Sequence, residues 1–85
     1  MKNAVFSVPW SEGLHMRRAA HLARIATQYR SDIRLRHGHS IADAKNILAI
    51  LILCATLNTL VDVEISGADE HDAMTAVQTF FQSAN

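Results

Sequence analysis

The sequence has a single cysteine, Cys54, so no intramolecular disulfide can form, which excludes a stapled secreted scaffold and points to a reducing compartment, the cytoplasm. Neither sign of charge prevails: 8 Lys and Arg balance 8 Asp and Glu, and nothing in the net charge favours a polyanion. Long apolar runs are missing as well. The longest, Ile47 to Ala55, falls far short of the roughly 20 residues that a membrane-spanning helix needs. The opening stretch Met1 to Pro9 carries one lysine but too short an apolar segment for a signal peptide, so neither export nor membrane insertion is expected. Repeats and low-complexity tracts are absent. What remains is a chain of 85 residues, 49% of them hydrophobic, enough for one core but not two; residues 1–85 are read as a single domain.

Ala4 to Val8 alternates with a period of two, as a half-buried strand does, and Pro9 should end it. The segment Met16 to Arg30 changes period. Ala19, Leu22, Ala23 and Ala26 share one helical face, while Arg17, His21, Arg24 and Gln28 share the other. Asp32 to His37 alternates again, with Ile33 and Leu35 inward, and Gly38 supplies a turn into Ser40-Ile41-Ala42, a hairpin. Leu60 to Ile65 is a strand with Val61, Val63 and Ile65 on its covered side. Asp69, Glu70 and Asp72 then suit a helix start, followed by Ala73, Ala76, Val77, Phe80 and Phe81 at helical spacing. Between hairpin and last strand, Lys45 to Leu53 fits a strand or a short helix, and periodicity does not choose. The order is β-α-β-β-(α)-β-α, an α+β arrangement of one antiparallel sheet with helices on one face.

His15 stands where Ser, Thr, Asp or Asn ordinarily caps a helix. The unpaired amides and partial positive charge there attract an anion, and a neutral imidazole is a nucleophile. A phosphoryl group on that ring would lie over the amides of Met16 and Arg17, with the Arg17 guanidinium in reach. Position alone leaves a second reading open, that of a surface residue beside an ordinary helix start.

The run Gly13-Leu14-His15-Met16-Arg17-Arg18-Ala19-Ala20 resembles the active-site signature of the HPr family: glycine, aliphatic, histidine, any residue, arginine, proline, alanine. The spacing onward to Tyr29, Asp32-Ile33, Gly38, Lys45 and Ser66-Gly67-Ala68-Asp69-Glu70 is similar to HPr proteins without a gap, so the resemblance spans essentially the whole chain. It implies an open-faced β-sandwich in which three helices cover one face of a four-stranded antiparallel sheet. It also implies a phosphocarrier that takes phosphate from enzyme I, itself charged by phosphoenolpyruvate, and passes it to a IIA domain for sugar uptake or regulation. By that resemblance His15 is the acceptor at Nδ1 and Arg17 steadies the phosphate. The middle segment becomes a short helix whose Ile47, Leu48 and Leu51 dock partners, although periodicity alone favours core packing for them. The implied protein is a monomer without cofactor or metal, and a transfer intermediate rather than a stand-alone enzyme.

The sequence departs from the family at three places. Arg18 replaces the motif's proline; the extra N–H and guanidinium either strengthen anion attraction in the cluster of His15, Arg17 and Arg18, or the side chain simply points into water. Asn46 falls where many members carry a phosphorylated serine, which predicts no kinase control there and a helix-capping role instead. Cys54 occupies a position often held by glycine; lacking a basic neighbour in sequence, it is expected to be a buried, inert thiol. Trp10 is read as a wall of the site, an interface anchor or plain packing. His37 and His39 flank Gly38 but lack the partners of a metal site. Two other functions compete: an HPr-like regulatory module that acts by contact without phosphotransfer, and a nucleic-acid reader. The second is disfavoured because strand 32–37 lacks stacking aromatics.

Overall fold

A computed structural model describes residues 1–83. The chain runs β1 (Lys2–Ser7), α1 (Met16–Thr27), β2 (Asp32–His37), β3 (Ser40–Asp43), α2 (Ile47–Ile52), β4 (Leu60–Ser66) and α3 (Glu70–Gln82). The strands form one sheet in the order β1-β4-β2-β3, with every pair antiparallel.

Register places the alternating apolar residues side by side. Ala4 pairs with Val63, Val63 with Leu35 and Leu35 with Ala42, so one row crosses all four strands on the covered face. The other face carries the row Val5, Asp62, Arg36 and Ile41, and stays in water. Against the covered face pack Ala19, Leu22, Ala23 and Ala26 of α1 and Ala73, Val77, Phe80 and Phe81 of α3, all buried. The four polar residues expected on the outer face of α1 are all exposed.

The differences from expectation are at element ends and have local causes. β1 begins at Lys2 and leaves the ladder after Ser7, yet Val8 still donates to Thr59 O (2.9 Å) and accepts from Asn58 N–H (2.8 Å) before Pro9. α1 stops at Thr27, three residues before Arg30. There Thr27 Oγ1 donates to Arg24 O, and the Gln28 and Tyr29 amides each reach back three residues, tightening the last turn. The amides of Arg30 and Ser31 instead donate to the Asp69 carboxylate, both at 2.9 Å, so a residue at the start of α3 ends α1.

The segment that periodicity left undecided is a helix. Asn46 precedes α2 in an extended conformation and its side chain accepts from Ala49 N–H at 3.2 Å, so the capping reading of Asn46 holds. No helix among the described residues is long and apolar enough to cross a membrane.

Candidate functional site

His15 is the residue before the first turn of α1, with an extended backbone (φ −89°, ψ −172°). Its carbonyl accepts the first helical hydrogen bond, from Ala19 N–H at 2.8 Å, so the amides of Met16 and Arg17 precede the ladder. The imidazole makes no capping hydrogen bond and is exposed, and the first turn contains no acidic residue. A positive helix end and an uncommitted ring nitrogen therefore meet at one point.

Backbone geometry holds that point. Gly13 N–H closes a turn onto Trp10 O, and Leu14 N–H donates to Ala55 O, both at 2.9 Å. Gly13 has φ +74°, and a Cβ there would stand 2.5 Å from Ala55 O, so glycine is required both for the conformation and for the close approach. The contact brings the turn after α2 beside His15. Between them lies an open groove of about 420 Å³, lined by Glu12, Leu14, His15, Met16, Leu51, Cys54, Ala55 and Thr56.

Cys54 corrects an expectation. It is exposed, not buried, and adopts φ +53°. Its amide donates to Leu51 O at 3.2 Å, the left-handed position just past a helix C-terminus where glycine is usual. The neighbouring Leu53 carbonyl accepts a hydrogen bond from His37 Nδ1 at 2.9 Å, which ties this turn to the end of β2.

The two arginines separate. Arg17 is exposed and lines a depression of about 320 Å³ on the flank of α1 with Arg18, His21 and Arg24, outside the groove of His15. Arg18 does not point into water: it is 7% exposed, and its guanidinium carbon lies 4.6 Å from the centroid of the Trp10 ring. Trp10 is core, packed against Phe80 and Phe81 with its indole N–H donating to Ser83 O at 2.7 Å. Sequence reasoning missed Glu12. Its own backbone N–H, then the Ser11 hydroxyl and, after burial's opposing effect, the charges of Arg18 and Arg17 hold its carboxyl below the ordinary 4.5. No spacing signals that role, because it depends on how the loop folds back.

On α2, Ile50 is buried and Leu51 half-buried, whereas Ile47 and Leu48 are 39% and 70% exposed. Ile52 (72%) and Met16 (59%) add exposed apolar surface that the sequence reading did not name. Among the described residues, no three His, Cys, Asp or Glu side chains gather as metal ligands would.

The family described as PTS HPr component phosphorylation site matches residues 2–83. The chain is 34% identical over 71 residues to the phosphocarrier protein HPr of Xylella fastidiosa (strain Temecula1), a match covering 84% of this chain and 80% of that one. It is 32% identical over 72 residues to the phosphocarrier protein NPr of Proteus mirabilis, with the same coverage. The crystal structure of HPr-C-His from Thermoanaerobacter tengcongensis superposes with a TM-score of 0.94 at 27% identity, covering 99% of this chain and 94% of the other. With the fold, the histidine at the helix mouth and these likenesses in agreement, the chain belongs to the HPr/NPr family of phosphocarriers of the phosphotransferase system.

Proposed function

We propose that His15 accepts a phosphoryl group from enzyme I, charged by phosphoenolpyruvate, and passes it to a IIA domain of a sugar or regulatory branch in the cytoplasm. The observation that carries this reading is the exposed, uncommitted imidazole of His15 at the start of α1. The Nδ1 lone pair forms the new N–P bond while the donor's bond to phosphorus breaks, its electron pair staying on the donor. Transfer onward repeats the step with His15 as leaving group. The amides of Met16 and Arg17 face the new negative charge, and the exposed Arg17 guanidinium swings to it. Ile47, Leu48 and Leu51 supply apolar contact to both partners, with polar surface around them.

Incubation with enzyme I and phosphoenolpyruvate, followed by phosphorus NMR, tests this. An acid-labile phosphohistidine in the wild type and none in His15→Ala is the expected result. An unlabelled wild type would instead favour a module acting by contact alone, and label persisting in His15→Ala would move the acceptor elsewhere. Offering the phosphorylated protein to IIA domains of both branches identifies the route it serves.

A further inference from the structure

We propose that Arg18 is a positioning residue for phosphoryl transfer: it clamps the loop of residues 10–14 through Trp10 and so keeps His15 at the mouth of α1. This rests on the phosphocarrier reading above. Proline at position 18, as in the family motif, restrains the first turn through its ring. Arginine brings no such restraint, so some other contact must hold the turn, and the structure supplies one through the side chain.

Long charged side chains are seldom buried, and Arg18 is buried to 7% exposure. Its guanidinium carbon is 4.6 Å from the Trp10 ring centroid, within cation–π range, and its Nε is 3.8 Å from Glu12 Oε1. Trp10 is itself fixed. It is 3% exposed, with ring centroids 5.0 Å from Phe80 and 5.9 Å from Phe81, and its indole N–H is held by Ser83 O. Arg18 therefore joins the first turn of α1 to an aromatic platform built on the C-terminal end of α3. Trp10 and Glu12 precede His15 and Arg18 follows it, so their contacts draw the two ends of the segment together with His15 between them. The Arg18 side chain does not line the groove beside His15 but shares the depression on the flank of α1 with Arg17, so it is the Arg18→Pro variant below that separates a clamp from direct contact with phosphate.

Trp10 is the only tryptophan, so its fluorescence reports the clamp directly. The variants are Arg18→Met, which keeps bulk without charge, Arg18→Lys, which keeps charge, and Arg18→Pro, which restores the family residue; a thermal melt verifies that each is folded. Acrylamide quenching of Trp10 should rise about twofold in Arg18→Met and Arg18→Pro and less in Arg18→Lys. For acceptance from enzyme I, kcat should fall about tenfold in Arg18→Met with KM within about twofold, since misplacing a reacting group costs rate more than binding. Arg18→Pro should recover most of kcat without recovering Trp10 protection, which a phosphate-contacting arginine would not allow. Unchanged quenching in Arg18→Met, or a kcat loss in Arg18→Pro as deep as in Arg18→Met, overturns the proposal. If the wild type accepts no phosphate, the phosphocarrier reading fails, and the role for Arg18 in transfer fails with it; quenching then still reports whether the clamp exists.

Discussion

Replacing Cys54 by glycine should make the protein more stable, although it removes a side chain. Cys54 holds φ +53° at the end of α2, and its side chain is exposed, so little packing is lost on truncation. A left-handed conformation costs an L-residue about 1–2 kcal/mol through contact of Cβ with its own backbone. Glycine removes that cost, but its freer unfolded chain takes back about 0.4–1 kcal/mol. The net gain is about 0.5–1 kcal/mol, which in a domain of this size raises Tm by about 2–8 °C. Cys54→Ala is the control: it keeps Cβ and the strain, so its Tm should stay near the wild type. Thermal melts under reducing conditions and urea titrations at fixed pH measure both variants. If Cys54→Gly melts at or below Cys54→Ala, the strain at position 54 is not what the backbone angle implies.

The same reasoning gives the opposite sign at Gly13, where Gly13→Ala adds left-handed strain and drives Cβ into Ala55 O. Strain of about 1–2 kcal/mol plus a lost hydrogen bond worth about 1 kcal/mol predicts destabilisation of roughly 2–3 kcal/mol by urea titration. The Asp69 carboxyl lies below the ordinary 3.8 because the Ser31 hydroxyl and the Arg30 amide donate to it, with the Ser31 amide adding to the effect. Its contribution is therefore present above the unfolded-state value and disappears as pH falls through the folded one. Melts from pH 7 down to about pH 2.5 should show Asp69→Asn less stable than wild type at neutral pH, with the gap closing in acid. Leu48, 70% exposed, is replaceable by serine with a stability change within about 0.5 kcal/mol. Calorimetric affinity for enzyme I should nevertheless fall about tenfold in Leu48→Ser, and unchanged affinity removes Leu48 from the docking surface.

Most of the fold was legible because its elements advertise themselves by period. β2, β4 and α1 alternate or repeat strongly enough that the buried residues Ile33, Leu35, Val61, Val63, Leu22 and Ala26 follow from spacing alone. α2 was not legible in this way. Six residues of almost uniform apolarity carry no period, and the decision falls to Asn46, whose side chain accepts from Ala49 N–H. The end of α1 was hidden for a different reason. Asp69 draws off the amides of Arg30 and Ser31 from nearly forty positions away, and no local window contains that competition.

The site divides along the same line. A histidine in a capping position is a local feature, and the structure places His15 as its sequence neighbours suggest. Two readings are overturned, that of an Arg18 side chain pointing into water and that of a buried Cys54, and their causes differ. The burial of Arg18 depends on Trp10, which is oriented by Phe80, Phe81 and Ser83 from the other end of the chain. Cys54 was judged by its side chain, whereas the backbone angle past α2 decides its exposure; the glycine that the family resemblance implies there was the available signal. Gly13, between the groove-lining Glu12 and Leu14, and Cys54 on the opposite wall thus give the groove a left-handed residue on each side, and a hydrogen bond from Leu14 N–H to Ala55 O joins the two turns. The imidazole is accordingly held in place by backbone conformation on both sides. It follows that side-chain changes at Cys54 and Thr56 in the groove wall should leave the imidazole in place where they spare those turns, whereas a single Cβ at position 13 should displace His15 and slow phosphoryl acceptance from enzyme I although the imidazole itself is unaltered.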